Sequence, residues 1–300
     1  MPELWWCYPL LGAAAGLLAG LLGVGGGLVI VAALAWLLPL QDVPVAATMH
    51  VALATSLASI VATAVASGTA HHRRDAVLWR SVAWLVPGML LGGWLGARVA
   101  GGLDGGMLRA GVAMFCVLAA WQLWRSGSSA ANRSVINQVA AARVAPSGPL
   151  LTAVAIVIGA VSALVGIGGG SLTVPLLIAR GARAVHAVGS SSVCGFFIAI
   201  ASATGYASLV PPTPLGTSYL GYVFWPGALL LAAASVLTAP LGARIAHRMQ
   251  GHHLQRLFAA FLVLMAVLTW FAPHNPAHEE SAVASIEHRA GSRISTASGR

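Results

Sequence analysis

Residues 22–31 read LGVGGGLVIV, a stretch in which four glycines interrupt an otherwise apolar run. Glycine destabilises a helix interior by roughly 1 kcal/mol relative to alanine, so an apolar helix is expected to break here. The pattern returns as GIGGG at 166–170. The two interruptions therefore predict two broken helices at matching places in the chain.

The composition indicates a polytopic membrane protein. The 300 residues are 58% hydrophobic and only 8% charged, and several apolar runs reach the roughly 20 residues that cross a bilayer. All sixteen basic residues are arginine. The net charge of +9 is typical of basic loops beside anionic lipids, and it does not indicate a nucleic-acid partner. The three cysteines have no CxxC spacing, so no metal or disulfide framework is predicted.

The chain divides into two similar halves. Apolar helical segments are predicted at about 8–38, 45–69, 77–98, 107–124, 150–179, 185–210, 219–243 and 254–272. The first transmembrane repeat is 1–125 and the second is 150–272, joined by a polar linker at 126–149. Residues 273–300 form a polar tail, which we expect to be disordered.

Matched motifs indicate an internal duplication. The stretch HVALATS at 50–56 has a counterpart in HAVGSSS at 186–192, and LGAR occurs at both 95–98 and 241–244. The order of the motifs is the same in both halves. Repeated transmembrane halves are a common plan of secondary transporters, which hold the substrate where the repeats meet.

The arginines predict how the segments cross the membrane. If all eight segments cross, the loops on the two sides carry six and seven arginines; if the first and fifth turn back, they carry eleven and two. The positive-inside rule favours the second arrangement, which makes the first helix of each repeat re-entrant and the two repeats inverted, with both termini outside. The alternative is that the glycines only allow helices to pack closely.

Two glycine turns at membrane depth predict an anion site. A helix N-terminus offers unpaired N–H groups and the positive end of a dipole, which suits an anion. No lysine or acidic residue lies in the spans, so strong ion pairing does not hold the ligand. Hydroxyls near the turns, that of Thr173 among them, could also donate hydrogen bonds to an anion without carrying a charge. The alternative is that such side chains bond to their own helix. The predicted substrate-binding residues are Gly23, Gly25, Gly26, Gly27, Thr55, Ser56, Gly166, Gly168, Gly169, Gly170, Ser171, Ser190, Ser191 and Ser192.

Other chemistry has little support in the sequence. His50 and His186 precede the two hydroxyl clusters and are candidates for proton coupling, with a place at the membrane interface as the alternative. The remaining histidine pairs have no acid or cysteine spaced to complete a metal site. The glycine motifs match no nucleotide-binding pattern and no catalytic motif is present. We therefore predict no enzyme activity, no metal and no cofactor.

Several motifs together resemble the TauE/SafE family of sulfite exporters. They are GLLGVGGGLVIVAAL at 20–34, ALVGIGGGSLTVPLL at 163–177, and the doubled LGAR. The resemblance covers about residues 10–272 and implies a permease of the bacterial inner membrane that moves sulfite, sulfonates or other small organic anions. Family members differ in cargo, so the resemblance leaves substrate, direction and coupling ion open.

We thus predict an all-α secondary transporter of small anions, whose partners are its substrate and the lipid bilayer. Two other functions stay open from the sequence: a carrier of an uncharged small solute, and a membrane scaffold or assembly factor that transports nothing. The oligomeric state is also open, a homo-oligomer included.

Overall fold

The computed structural model describes residues 5–22, 26–126, 148–246 and 251–272, which form ten α-helices and one short β-hairpin. Strands β1 (Tyr219–Leu220) and β2 (Val223–Phe224) pair antiparallel. A short 3-10 turn, Pro39–Gln41, follows the second helix. The helices are α1 Cys7–Leu22, α2 Gly27–Leu37, α3 Val45–His72, α4 Trp79–Gly101, α5 Gly105–Ser126, α6 Pro149–Val165, α7 Gly170–Ala179, α8 Ala184–Ala207, α9 Trp225–Ala246 and α10 Gly251–Trp270.

The architecture is that of a helical membrane protein. Among the described residues, α3, α4, α5 and α8 are each long and apolar enough to cross a bilayer. The first and fifth predicted segments are each divided in two, because α1 ends before the first glycine stretch and α6 before the second. The predicted helix breaks are therefore present, and each leaves two half-helices of 10 to 17 residues.

The seventh predicted segment, 219–243, begins too early. Residues 219–224 form the hairpin, and α9 begins only at Trp225. Gly221, with φ of 57°, turns the chain between the strands in a left-handed conformation that glycine adopts without strain. The apolar residues on either side of Gly221 therefore belong to strands and not to the helix.

Some predicted features lie outside the described residues. They are the tail at 273–300, nearly all of the linker at 126–149, and two glycines of the first motif, Gly23 and Gly25.

Close packing of α4 on α6 depends on a row of glycines. Gly88, Gly92 and Gly96 recur every four residues on one face of α4, and a Cβ at each would overlap the backbone of α6. Small residues with this spacing let transmembrane helices approach closely. Small-residue packing thus also occurs at glycines outside the two motifs.

The contact between α1 and α9 depends on glycines in the same way. Helix α1 packs along α9, where a Cβ at Gly12 would lie 2.5 Å from the carbonyl oxygen of Leu231 and one at Gly16 would lie 2.6 Å from Cα of Ser235. The first half-helix of each predicted repeat therefore packs on the third predicted segment of the other repeat. The two halves are interlocked.

Helices α3 and α8 form the centre of the molecule and pack on each other. Leu53, Leu57 and Ile198, on the buried faces of these two helices, are 0% exposed. Both half-helix pairs contact this central pair. The breaks between the half-helices therefore lie against two long central helices.

Candidate functional site

The second glycine turn is built from left-handed backbone at two positions. Gly166 (φ 77°) ends α6 and Gly169 (φ 73°) precedes α7. The N–H groups of Gly166 and Ile167 donate to the carbonyl oxygen of Ser162, at 2.9 and 3.1 Å. Only glycine adopts these φ values readily, which explains the motif. At the first turn Gly26 (φ 58°) has the same role before α2.

The two glycine turns meet in the centre of the molecule. A Cβ at Gly27 would overlap the carbonyl oxygen of Gly166. The Ser56 hydroxyl lies between the turns, 3.1 Å from the Gly27 oxygen and 3.2 Å from the Gly166 oxygen. The structure thus brings together residues of both predicted repeats, 139 residues apart in the chain.

Helix α8 closes the other side of the second turn. A Cβ at Gly195 would lie 2.6 Å from the carbonyl oxygen of Gly168, and one at Gly169 would meet Cδ1 of Ile198. From α3, Ile60 reaches both turns, its Cδ1 at Gly27 and its Cγ2 at Gly168. The turn is therefore enclosed by the central helix pair.

The N-terminus of α7 has unpaired amide groups. The first backbone donations into this helix are those of Leu172 and Thr173 to the carbonyl oxygen of Gly169, at 3.2 and 2.9 Å. The amides at 168–171 have no acceptor within the part of the chain that the structure describes. These amides carry the positive end of the helix dipole.

The predicted hydroxyls have different surroundings. Thr55 is fully buried, and its Oγ1 accepts from the N–H of Phe224 at 3.1 Å. Ser56 therefore lies between the glycine turns, whereas Thr55 bonds to the hairpin, and both hydroxyls already have protein partners.

The serines of α8 lie before the level of the second turn. Ser190 Oγ accepts from the N–H of Leu78 at 2.8 Å, where α4 begins. Ser192 Oγ donates to Val188 O at 3.0 Å and accepts from Ser67 on α3 at 3.1 Å. Ser191 is 3% exposed. Since Gly195 marks the level of the second turn, Ser191 is one helical turn, about 6 Å, before it.

Buried hydroxyls without partners surround the second turn. Ser162 and Thr173 are 0% exposed, and neither their hydroxyls nor that of Ser171 has a partner among the described residues. Ser162 Oγ lies 3.5 Å from the position of a Cβ on Gly169. Ser162 was missed at the sequence level, although its place four residues before Gly166 puts it on the face of α6 that reaches the turn.

The two predicted histidines are not equivalent in the structure. His50 Nε2 is 3.0 Å from Ala100 O and 3.1 Å from Leu103 O, at the turn between α4 and α5. Its ring stacks on Tyr222 with centroids 4.9 Å apart. His186 is half-buried at the start of α8. His50 thus holds a helix end, an arrangement that His186 does not repeat.

The hairpin caps the centre at the N-terminal end of α3. Phe224 contacts the rings of Trp5, Tyr8 and Tyr219 and reaches Thr55 through its backbone. Burial raises the pKa of Tyr219 and of Tyr222, so both phenols stay neutral at physiological pH. The described residues contain no group of three histidine, cysteine or acidic side chains that could hold a metal ion.

Comparison with known proteins agrees with this membrane architecture. The family profile described as Sulfite exporter TauE/SafE matches residues 8–269. A probable membrane transporter protein of Haemophilus influenzae is 36% identical over 259 residues, covering 86% of this chain and 95% of its own. One of Xylella fastidiosa (strain 9a5c) is 28% identical over 85% of this chain and 91% of its own.

A more distant relative has the same description. The probable membrane transporter protein YunE of Bacillus subtilis is 27% identical over 264 residues, covering 85% of this chain and 93% of its own. No solved structure matches the chain significantly. The family and the names of the relatives indicate a membrane transporter and not an enzyme.

Proposed function

The chain belongs to the TauE/SafE sulfite exporter family and is a multi-pass membrane transporter, and from this premise we propose that it is a secondary carrier of small anions, sulfite and sulfonates first. The observation that carries this proposal is the meeting of the two glycine turns, Gly27 against Gly166 with Ser56 between them. Amide groups at a broken helix can replace part of the hydration of an oxyanion. The names of the relatives give no support to a scaffold that transports nothing.

The carrier would consist of two inverted repeats, each with a re-entrant first helix. The Tyr8 hydroxyl donates to Gln41 Oε1 at 2.7 Å, so the start of α1 lies beside the segment that follows α2. Leu151 at the start of α6 and Leu177 near the end of α7 share one buried cluster with Leu85 of α4. These contacts support the proposal that each pair of half-helices leaves the membrane on the side where it entered, and that the two pairs enter from opposite sides.

Cysteine labelling tests the re-entrant arrangement directly. In a cysteine-free background, Trp5→Cys and Asp42→Cys should react with a membrane-impermeant maleimide from one side of the membrane. Gly148→Cys and Arg183→Cys should react only from the other side. If either pair is labelled from opposite sides, the helix between its members crosses the bilayer completely and the inverted arrangement is wrong.

The distribution of arginines predicts which end of the carrier faces the cytoplasm. Within the described residues, Arg73, Arg74 and Arg80 lie at the end where α3 joins α4, and Arg180 and Arg183 follow α7 at the same end. Only Arg98 and Arg109 belong to the opposite end of the described chain. The positive-inside rule then puts the first end in the cytoplasm of a bacterial inner membrane and both termini outside.

The membrane potential would drive export. The free energy of a monovalent anion falls by about 2.3 kcal/mol when it leaves a cytoplasm that is negative by 100 mV, so export needs no other energy source. Uptake would require a coupled cation, and a proton on His50 or His186 is the candidate within the sequence.

Flux into proteoliposomes tests the anion site. Purified protein should carry radiolabelled sulfite, and Gly169→Ala should abolish most of this flux because its Cβ would occupy the turn against Ile198. Gly181→Ala is the matched control: Gly181 also has a positive φ, of 90°, but nothing lies within 4 Å of its Cβ position. Equal flux in both variants would contradict the site. Flux of a neutral solute without anion flux would favour the uncharged-solute carrier instead.

A further inference from the structure

The N-terminus of α7 differs from that of α2 in its unpartnered hydroxyls. Ser162, Ser171 and Thr173 each place a buried hydroxyl without a described partner at or within one turn of the second glycine turn. Ser162 is directed at Gly169, which immediately precedes α7. A buried hydroxyl that lacks a partner is unfavourable. Three of them beside four unpaired amides indicate a ligand with several acceptor oxygens.

The first glycine turn offers less to a ligand. The first turn of α2 continues from Gly27 with Leu28, Val29 and Ile30, which have no hydroxyl. The nearest hydroxyl, that of Ser56, lies within hydrogen-bonding distance of two carbonyl oxygens and has only one proton to donate. Within the described part of the chain, the two turns therefore do not form equal ligand sites.

The second turn contains no full positive charge. Among the described residues, the nearest cation along α7 is Arg180, ten residues after Gly170 and thus about 15 Å away along the helix axis. The dipole of α7 contributes the equivalent of about +0.5 elementary charge. Neutral donors and a partial charge must therefore stabilise the whole charge of any bound anion.

These conditions discriminate between anions by charge. The cost of removing an ion from water rises with the square of its charge, whereas its attraction to dipoles rises only in proportion. For a dianion, the free energy of hydration lost on binding would be about four times that of a monoanion of the same size, whereas its attraction to the dipoles of the site would only be about twice as large. A full counter-charge would be needed to close this difference, and the turn has none.

We propose that Ser162, Ser171 and Thr173, with the amides at 168–171, form a single anion subsite that accepts monoanions and rejects dianions. This inference rests on the proposed transport function and narrows its substrate class. The substrates of this subsite are monovalent oxyanions such as hydrogen sulfite and alkyl sulfonates, and sulfate is excluded although it is also tetrahedral.

The test compares two labelled anions of similar shape in the same proteoliposomes. Methanesulfonate, with one charge, should be carried at least about tenfold faster than sulfate, with two, at a membrane potential clamped to zero. Equal rates, or faster sulfate flux, would overturn the charge selection while leaving anion transport intact. If neither anion moves and sulfite does not move either, the proposed function itself fails.

A pair of threonine variants tests the assignment of residues. Thr173→Val should lower the apparent affinity for methanesulfonate by about tenfold or more, because the hydroxyl would be a direct donor. Thr269→Val is the matched control, since Thr269 is also a buried threonine whose hydroxyl has no described partner, but near the end of α10. Methanesulfonate should raise the thermal stability of the control and of the natural protein, and should do so less for Thr173→Val. The same response in both variants would remove Thr173 from the subsite.

Discussion

Replacing Gly195 by alanine tests how tightly α8 holds the second glycine turn. A Cβ at this position would lie 2.6 Å from the carbonyl oxygen of Gly168. Unstrained contacts between a carbon and a carbonyl oxygen are about 3.3–3.6 Å long, so α8 and the turn must separate by about 0.7 Å or more. Overpacking of this kind destabilises by about 1–3 kcal/mol. Alanine offsets part of it, by roughly 1 kcal/mol, because it favours the helix interior.

Gly111→Ala isolates the overlap from the helix preference. Gly111 also lies within a long helix, α5, and nothing lies within 4 Å of its Cβ position. The helix preference cancels between the two variants, so Gly195→Ala should be less stable than Gly111→Ala by about 1–3 kcal/mol. Thermal unfolding in detergent, followed by size-exclusion chromatography, measures this difference.

The same pair of variants should differ in transport. Displacement of Gly168 moves an amide of the proposed subsite, and a loss of about 1–3 kcal/mol in binding corresponds to about 5- to 150-fold in apparent affinity. Sulfite flux at several concentrations in proteoliposomes gives this affinity for each variant. If Gly195→Ala matches Gly111→Ala in both stability and affinity, the close approach of α8 to the turn is wrong, and with it the enclosure of the site.

Two further substitutions test the hairpin cap and the histidine. Thr55→Val removes the acceptor of the Phe224 N–H and should destabilise the protein by about 1–3 kcal/mol in the thermal unfolding assay. Thr69→Val is the control and should have little effect, because the Thr69 hydroxyl bonds only to its own helix. His50→Phe keeps a ring to stack on Tyr222 but loses the hydrogen bonding of His50 to the α4–α5 turn. It should lower the free energy of unfolding by about 1–3 kcal/mol and leave the pH dependence of sulfite flux unchanged. A shifted pH dependence would instead support proton coupling through His50.

Much of the helical framework could be predicted because local sequence determines it. Long apolar runs specify the crossing helices, and the left-handed positions at Gly26 and Gly169 are ones that glycine alone adopts readily. The hairpin at 219–224 was not predicted, because a two-residue strand has too few residues to show an alternating pattern beside an apolar helix. Its register depends on Gly221 and on packing against distant aromatic rings.

The partners of the hydroxyls could not be predicted, because they depend on tertiary packing. Thr55 meets an amide 169 residues later in the chain, and Ser190 meets one 112 residues earlier. Both were grouped with the glycine turns by their position on a helix. Sequence spacing places a residue at a depth and on a face, but only the crossing of helices decides which group lies opposite.

Ser56 shows why the contact between the turns matters for a carrier. Its hydroxyl lies within hydrogen-bonding distance of an oxygen from each predicted repeat, Gly27 from the first and Gly166 from the second. Ser56 itself belongs to the first predicted repeat, so any motion that separates the repeats at this point must break its contact with Gly166. The hydroxyl has one proton to share between the two oxygens, so the two contacts together are worth about one neutral hydrogen bond, a net contribution of about 0.5–1.5 kcal/mol. A contact of that strength keeps the two turns in register and still lets them part within a transport cycle.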